Sequence, residues 1–446
     1  MIHPPSRNSS SRTVVCLRHK PNRHEGYVKV QLSDDCFAAD DHLMTTAEAL
    51  NLLSGRIEPI GTQEMIPLRQ SRKRLLAEDV ISDYNVPPKE NSAVDGYSFA
   101  FESLRNGQDT SFRIVDRAAA GHPATVVPGR GEAIRVFTGA VMPSGHDTVA
   151  MQEDCEIDGD NVVIPPGLSP GANSRRAGED VEKGDVVLRR GQLLRAQDLG
   201  IAASVGRTEL SVYQSVRVAV FSTGDEIREP GKLLPEGAIY DSNRYVLMSL
   251  LEALPVEVID LGILPDDPDA VAVALRSAAK EQDILLTSGG VSVGEEDHVK
   301  NAVSENGSLY FWRLAIKPGR PLALGQVDGT PFVGLPGNPV AAMVTFIRFA
   351  RPLLLRLAGG TDLEPKFYRV RADFSHRKKR NRREWVRARL KSGKDGTPEA
   401  EKFAREGAGI LRSLVESDGL IELPEDMTEV VPGTMVEFLP FAEVIS

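Results

Sequence analysis

The sequence lacks several features that would place it quickly in a class. Its 446 residues contain only three cysteines, Cys16, Cys36 and Cys155, too few and too scattered for a disulfide framework or a cysteine zinc site. Basic residues do not dominate, because 53 Lys and Arg face 63 Asp and Glu, and the formal net charge is −10. No apolar run approaches the ~18 residues of a membrane-spanning helix. These absences predict a cytoplasmic protein that binds neither nucleic acid nor membrane.

What is present is a globular composition spread over several domains. Hydrophobic residues make up 41% of the chain and charged residues 26%, which excludes global disorder. The length corresponds to roughly three domains of about 150 residues each. Residues 1–30 differ, with six Lys and Arg against one Glu. We expect a disordered basic extension over residues 1–42 and assign it no function.

Residues 91–180 contain short strands that Gly and Pro interrupt, which is typical of a β-rich domain. The strands predicted there are 112–115, 133–137 and 161–164. The flanking segments 43–90 and 181–213 carry two predicted helices, one after a capping box at Thr45 and one over 196–204. We expect these two segments to form one discontinuous linking domain around the inserted β-rich domain.

Residues 214–360 change character, because apolar runs of strand length alternate with helical stretches. The predicted strands are 216–221, 256–263, 283–287 and 331–335, and the predicted helices are 242–254, 268–281 and 340–357. This alternation predicts βαβ units and a mostly parallel sheet. Short strands return over 361–446 and predict a C-terminal β-barrel. The predicted fold class is therefore α/β plus β.

Four loops of the α/β segment follow predicted strands and are rich in Gly and polar residues. They are 222–226, 264–268, 288–297 and 334–339. Ligands of open parallel sheets bind at the carboxyl ends of the strands, where such loops meet. The four loops together therefore predict a binding site at one edge of the sheet.

The third of these loops predicts an anion site. Ser288, Gly289, Gly290, Ser292 and Gly294 precede a predicted helix, and exposed N–H groups at a helix start favour phosphate. The spacing matches neither a Walker loop nor a dinucleotide fingerprint. A tight turn that caps the helix is the alternative interpretation of this loop alone.

Three loops also supply one carboxylate each. Glu226, Asp266 and Asp297 are oxygen ligands of the kind that Mg²⁺ prefers. Each alone is also explained as a helix cap or a solvated charge, and Asp266 is the most cap-like. Their placement at one sheet edge favours a magnesium site.

A basic segment accompanies the acids. Arg313, Lys317 and Arg320 lie in and beside a stretch that Pro318, Gly319 and Pro321 stiffen into a hairpin-like form. These three cations predict a polyanionic ligand. The charged run 377–383 has no such stiffening, and we interpret it as a solvated face.

The β-rich segment contributes loops around Asp95, Thr138 and Asp180. By themselves these are turns, since Asp-Gly and Thr-Gly favour left-handed geometry. They cannot easily reach the parallel sheet of their own chain. We therefore expect them to face the active edge of a partner subunit.

Eight motifs in order resemble the molybdopterin molybdenumtransferase family, the molybdenum-insertion enzymes, which includes the C-terminal domain of gephyrin. They are 91–97, 138–140, 176–180, 222–226, 240–243, 288–294, 317–319 and 334–339. The resemblance covers about residues 43–446. It implies an elongated homodimer of four-part subunits, with a three-layer α/β domain, and the final step of molybdenum-cofactor synthesis. In that step molybdate and adenylylated molybdopterin react, with Mg²⁺, and AMP leaves.

The resemblance also implies roles for individual residues. Catalytic roles fall on Asp297, Glu226, Asp266, Lys317, Asp95, Asp180 and Thr138, the first three also as metal ligands. Substrate contacts fall on Ser288, Gly289, Gly290, Ser292, Gly294, Arg313, Arg320, Pro336, Pro339, Asp241 and Asn243. Further expected partners are a molybdopterin adenylyltransferase and molybdoenzymes.

The chain departs from the family at two places. Many relatives carry Lys at the position of Arg313, and many read Gly-Ser-Gly where this chain has 407–409 with Ala408. The serine hydroxyl is therefore absent or supplied from Ser413. Two other functions stay open: a molybdopterin adenylyltransferase, which resembles only the sheet domain, and a gephyrin-like scaffold without enzymatic activity, which the acids at Glu226, Asp266 and Asp297 disfavour.

Overall fold

The computed structural model describes residues 42–265, 267–290 and 298–445, and a short antiparallel pair of β1 (Arg18–His19) and β2 (Val30–Gln31). Most of the predicted N-terminal extension lies outside the described residues. So do four predicted site residues, namely Asp266, Ser292, Gly294 and Asp297.

The first helix begins at a reciprocal cap. The Thr45 hydroxyl accepts a hydrogen bond from the Glu48 N–H at 3.2 Å, and the Glu48 carboxylate accepts one from the Thr45 N–H at 2.7 Å, as the sequence pattern predicts. The elements up to residue 213 are β3 (Leu43–Met44), α1 (Thr46–Arg56), β4 (Gln63–Pro67), β5 (Val80–Ile81), β6 (Asn91–Ser92), β7 (Gly96–Phe99), β8 (Thr110–Ala118), β9 (Glu132–Val136), β10 (Thr148–Met151), β11 (Glu156–Asp158), β12 (Asn161–Ile164), β13 (Ser174–Arg175), β14 (Val186–Leu188), α2 (Ala196–Ser204) and β15 (Glu209–Tyr213).

Six strands of this region form one sheet in the order β10-β7-β9-β8-β12-β11. The rings of Phe99 and Phe112 pack in its core with their centroids 5.1 Å apart. The pairs β4–β15 and β5–β14 join chain segments that precede and follow this sheet. The segments that precede and follow this sheet along the chain therefore lie next to each other in the fold.

The next part of the chain carries the sheet of the candidate site. Its elements are β16 (Val216–Thr223), β17 (Ile227–Arg228), β18 (Ile239–Tyr240), α3 (Asn243–Leu251), β19 (Val256–Leu264), α4 (Pro268–Glu281), β20 (Ile284–Ser288), α5 (His298–Glu305), β21 (Gly307–Leu314), β22 (Ile316–Lys317), β23 (Pro321–Val327), β24 (Thr330–Leu335), α6 (Pro339–Thr345) and α7 (Arg351–Leu357). A π-helical turn over Phe346–Ala350 joins α6 to α7.

Seven strands form this sheet in the order β19-β16-β20-β24-β23-β21-β3. The strands β19, β16, β20 and β24 are parallel to one another, whereas β23 runs antiparallel to both β24 and β21. The edge strand β3 pairs in parallel with β21. The sequence therefore predicts the parallel half and misses the antiparallel half. The physical reason is loop length, because the short connections 315–320 and 328–329 cannot hold a crossover helix and force the chain to turn back.

Both faces of the parallel half are covered. On β16, Val218 and Val220 pack in one core cluster, which includes residues of α3, α6 and α7. Ala219 and Phe221 pack in a second cluster with residues of α4 and α5. Successive strand residues point to opposite faces, so this nearly continuous apolar strand is buried on both sides.

The last part of the chain closes into a barrel. Its elements are β25 (Tyr368–Ala372), β26 (His376–Arg377), β27 (Arg383–Ser392), β28 (Pro398–Lys402), α8 (Arg412–Val415), β29 (Gly419–Leu423), β30 (Glu429–Val430), β31 (Met435–Pro440) and α9 (Ala442–Ile445). The five strands β27, β28, β25, β31 and β29 pair in a circle, because β29 returns to β27. The predicted β-barrel is confirmed. None of the helices in the described ranges is long and apolar enough to cross a membrane.

Candidate functional site

The parallel strands bring the predicted loops to one edge of the sheet. Thr223 pairs with Leu264, and Ser288 pairs with Leu335, so β16, β19, β20 and β24 end side by side. The loops approach closely: a Cβ on Gly290, whose φ is +64°, would lie 2.2 Å from the Thr223 hydroxyl oxygen. Only glycine fits this position without displacing the neighbouring loop.

An asparagine ties the third and fourth loops together. The Asn243 side-chain N–H donates to the Ser288 hydroxyl at 2.9 Å and to the Gly337 carbonyl at 2.7 Å. The Ser288 hydroxyl in turn donates to the Pro336 carbonyl at 2.9 Å. Ser288 is buried, so its hydroxyl positions the loops while the next residue, Gly289, lines the cavity described below.

Glu226 is the predicted metal ligand that the structure describes. Its exposed carboxylate folds back over Gly224, where a Cβ would lie 2.5 Å from the Glu226 Oε2 atom. Within the described ranges, no three His, Cys, Asp or Glu side chains cluster closely enough to hold a metal ion. Because Asp266 and Asp297 lie outside those ranges, the proposed set of three acids stays a prediction. Glu226 itself fits a hard cation, as an exposed oxygen donor at the cavity.

A cavity of about 570 Å³ opens between this sheet edge and the barrel. The sheet side supplies Glu226, Gly289, Gly290 and the loop 335–338. The barrel side supplies most of the charged groups, which are His376, Glu384, Arg387, Lys402, Arg405 and Glu406. The hairpin segment 317–321 bridges the two sides.

The hairpin holds two of the three predicted cations in the cavity wall. The Leu314 N–H donates to the Arg320 carbonyl at 2.9 Å, which closes the turn. Strand β22 pairs in parallel with β27, so Lys317 stands opposite Glu384. Lys317 and Arg320 line the cavity. Arg313 lies on β21 opposite Pro321 and outside the described cavity lining.

Glu384 is a buried carboxylate that faces Lys317. It is 2% exposed, and its Oε2 atom lies 3.7 Å from the Lys317 Nζ and 3.1 Å from the His376 Nε2. Burial alone would raise the pKa of Glu384, but hydrogen bonds from His376 and Arg382 and the charge of Lys317 outweigh it and lower the pKa to about 2. This carboxylate is therefore ionised and fixes the position of the lysine.

Arg387 adds a cation to the cavity wall from the barrel side, and Ser413 orients it. The Arg387 Nε donates to the Ser413 hydroxyl at 3.0 Å, and its Nη2 donates to the carbonyls of Arg405 and Gly407 at 3.2 Å. Burial lowers the pKa of Arg387. Ser413 is fully buried and does not line the cavity, whereas Ala408 does. Ser413 therefore does not replace a serine hydroxyl in the cavity wall; it acts behind the arginine.

Three predicted catalytic residues lie away from this cavity in the β-rich part of the same chain. The Asp95 carboxylate accepts hydrogen bonds from the Thr138 N–H at 2.8 Å and from its hydroxyl at 2.9 Å, and these bonds lower the pKa of Asp95. The Asp180 N–H donates to the Val86 carbonyl at 2.9 Å. The structure thus joins Asp95 to Thr138 and brings neither to Lys317 within one chain.

Asp241 also lies outside the cavity lining. It is 4% exposed and accepts a hydrogen bond from the Arg244 Nε at 2.9 Å. Arg244 is 2% exposed and also pairs with Asp260 and Glu229. Pro339 occupies the first turn of α6, next to the loop that lines the cavity.

Sequence reasoning missed the barrel residues of the cavity, which are His376, Glu384, Arg387, Lys402, Arg405 and Glu406. A signal was available for two of them: Glu384 and Arg387 interrupt the apolar residues Trp385, Val386 and Ala388 of one strand. A charge inside an apolar strand needs a partner, and that requirement points to a buried polar site.

Comparisons with known proteins match successive parts of this chain. Family models match residues 44–206 (MoeA N-terminal region, domain I and II), 219–356 (probable molybdopterin binding domain) and 369–441 (MoeA C-terminal region, domain IV). A molybdopterin molybdenumtransferase of Haemophilus influenzae is 38% identical over 390 residues, covering 87% of this chain and 96% of that protein. One from a Nostoc species is 33% identical over 397 residues, covering 87% and 91%.

A solved structure shows the same architecture. The molybdopterin biosynthesis MoeA protein of Pyrococcus horikoshii OT3 superposes with a TM-score of 0.76 at 30% identity, covering 90% of this chain and 100% of that one. The three family models follow one another along the chain in the order of the three parts described above. The chain therefore belongs to the molybdopterin molybdenumtransferase family.

Proposed function

We propose that this chain inserts molybdenum from molybdate into adenylylated molybdopterin and releases AMP, in the last step of molybdenum-cofactor synthesis. The observation that carries this proposal is the cavity itself, where a glycine loop, an exposed carboxylate and the cations Lys317, Arg320 and Arg387 converge. Such a set suits a substrate that carries a pyrophosphate and an oxyanion. Family membership supplies the identity of that substrate.

We propose that one group of residues binds the phosphate and another binds the oxyanion. The backbone of Gly289 and Gly290 can approach a phosphate closely, because neither carries a Cβ. Lys317, Arg320 and Arg387 would hold the oxyanion against the reacting group. A water oxygen attacks a phosphorus of the phosphoanhydride, the bridging P–O bond breaks, and AMP leaves. The two dithiolene sulfurs then replace one oxygen of molybdate, which leaves as water with the two thiol protons.

The charge of the pyrophosphate requires neutralisation near Glu226. We propose that Glu226 holds Mg²⁺ together with Asp266 and Asp297. When bound, Mg²⁺ would stabilise the negative charge that develops on the phosphate oxygens. Glu226 fits this role because its carboxylate is exposed and lies at the cavity beside the glycine loop.

We further propose that the active unit is a homodimer of elongated four-part subunits, bounded at residues 43–90 with 181–213, 91–180, 214–360 and 361–446. The sheet of 214–360 would be the middle of three layers. Asp95, Thr138 and Asp180 would then complete the cavity of the partner subunit. The support for this arrangement is that none of the three lines the cavity of its own chain, whereas Lys317 does. A molybdopterin adenylyltransferase and molybdoenzymes are the expected protein partners upstream and downstream.

The reaction is tested by AMP release from adenylylated molybdopterin, measured with Mg²⁺ and molybdate. Wild-type protein should release AMP only when molybdate is present, and Glu226→Gln and Asp297→Ala should abolish release. Glu236→Gln, an exposed carboxylate outside the cavity lining, is the matched control and should keep full activity. Pyrophosphate formation from ATP and molybdopterin would instead identify an adenylyltransferase, and inactivity of folded protein in both assays would identify a scaffold.

The shared site is tested by mixing two inactive variants. Asp95→Asn and Glu226→Gln, unfolded and refolded together, should give mixed dimers in which one of the two cavities is intact. We expect about a quarter of wild-type activity, because half of the dimers are mixed and each holds one good site. If the mixture stays inactive while both variants form dimers, the site does not span two subunits.

A further inference from the structure

Lys317 belongs to a closed ring of five side chains in the cavity wall, which we call the ionic ring. Its members are Lys317, Glu384, His376, Lys402 and Glu406. The Lys402 Nζ lies 3.0 Å from the His376 Nδ1 and 2.6 Å from the Glu406 Oε1. The Glu406 Oε2 lies 3.4 Å from the Lys317 Nζ. The Glu384 contacts to Lys317 and His376 close the ring.

The hydrogen bonds of the ring define the tautomer of His376. An ammonium group has donors only, so the His376 Nδ1 must accept from Lys402. The ring proton is therefore assigned to Nε2, which donates to Glu384. His376 in this form positions Lys402 on one side and Glu384 on the other.

The two carboxylates of the ring are held very differently. Glu384 is 2% exposed and also bonded by Arg382. The Glu406 side chain is 54% exposed and lies in the connection between β28 and α8, outside any regular element. Arg387 binds the neighbouring carbonyls of Arg405 and Gly407, which holds the backbone there and leaves the Glu406 carboxylate free to turn outward.

The Glu406 carboxylate imitates an oxyanion. Its two oxygens each contact a different ammonium group, Oε1 with Lys402 and Oε2 with Lys317. Two oxygens of a tetrahedral oxyanion can make the same two contacts. Within the ring, Glu384 and Glu406 balance the charges of Lys317 and Lys402. A dianion in the place of the Glu406 carboxylate brings one more negative charge, which Arg320 and Arg387 in the same cavity wall can balance.

We propose that the Glu406 carboxylate occupies the position where the oxyanion substrate binds. A tetrahedral dianion displaces this carboxylate from Lys317 and Lys402, and that dianion is molybdate if the proposed function holds. Lys402 is then a binding residue that the sequence motifs do not contain. Glu384 and His376 are positioning residues, because they keep both lysines in place during the exchange. The choice of dianion rests on the proposed function, but the exchange itself rests on the ring.

Equilibrium binding of molybdate to the full-length protein, followed by calorimetry, tests the exchange. Glu406→Gln keeps the shape of the side chain and removes its charge. We expect it to bind molybdate on the order of tenfold more tightly than wild type, because an exposed ion pair is worth up to about fivefold and two such pairs no longer have to be broken. Glu401→Gln, an exposed carboxylate of β28 outside the cavity lining, should change affinity less than twofold. Equal or weaker binding by Glu406→Gln overturns the proposal.

The role of Lys402 is tested in the Glu406→Gln variant. Lys402→Met combined with Glu406→Gln should lose the gain in affinity, while circular dichroism and the melting temperature stay those of Glu406→Gln. A double variant that keeps the full gain overturns the assignment of Lys402. AMP release by wild type is measured in parallel: if it depends on molybdate while Glu406→Gln binds like wild type, this proposal fails and the proposed function stands. If wild type releases no AMP while Glu406→Gln still gains affinity for molybdate, this proposal stands and the proposed function fails.

Discussion

Arg244 does not line the cavity, but replacing it by methionine should lower the stability of the sheet region. The guanidinium is 2% exposed and pairs with three carboxylates, those of Asp241, Asp260 and Glu229. Methionine fills a similar volume but cannot neutralise any of them. The variant therefore tests whether this buried charge cluster holds the start of α3.

The magnitude follows from how each carboxylate can respond. The side chains of Glu229 and Asp260 are 38% and 39% exposed and can turn toward water. The Asp241 side chain is 3% exposed and would be left buried without a cationic partner, with the backbone N–H of residue 244 as its remaining donor. Removing one partner of a buried ion pair costs about 3–5 kcal/mol. Replacing both partners costs much less, so Arg244→Met with Asp241→Asn should recover most of the loss.

Differential scanning calorimetry measures the outcome as a melting temperature, since a chain of several domains need not unfold in two states. For a region of ~150–250 residues, a loss of about 3 kcal/mol corresponds to roughly 6–12 °C. The double variant should melt within a few degrees of wild type. A shift below about 2 °C for Arg244→Met, or a double variant no more stable than the single one, would refute this account of Asp241.

Three other perturbations have defined outcomes. Gly290→Ala places a Cβ 2.2 Å from the Thr223 hydroxyl at a φ of +64°, so AMP release should fall at least about tenfold, and Thr223→Ala should restore part of it. Asn243→Ala removes the hydrogen bonds from Asn243 to Ser288 and to Gly337 and leaves the direct Ser288–Pro336 bond; steady-state kinetics should show a KM raised about tenfold, as expected for about 1–3 kcal/mol of lost positioning. Burial lowers the pKa of His146 to about 4, so folding should lose up to about 3 kcal/mol as the pH falls from 6.5 to 4; denaturant unfolding of His146→Gln should lack this loss.

The edge of the sheet could be predicted because strand direction alone decides where its loops meet. A run of alternating strands and helices predicts parallel strands, and parallel strands end on one side. Because β16 and β20 end on the same side, the loops that follow them meet, and Gly290 comes close to Thr223. The antiparallel half was missed because its short connections carry no helix, and the rule applies only where a crossover exists.

The barrel side of the cavity could not be predicted in the same way. His376 and Glu384 follow Lys317 by 59 and 67 residues, and no local pattern links a charge to a partner so distant. The sequence predicts a solvated face for the run 377–383. The structure instead pairs Arg383 with Glu422 and Glu425, because a half-buried guanidinium needs carboxylates that only the folded barrel supplies.

The position of Lys317 depends on an apolar neighbour. In the parallel pair of β22 and β27, Ile316 stands opposite Arg383 and Lys317 opposite Glu384. Ile316 is 3% exposed and packs in the same core cluster as Trp312. A slip of one residue would exchange the two faces and bury the lysine ammonium in that core. Hydrophobic packing therefore fixes the register, and the register places the ammonium group over the cavity.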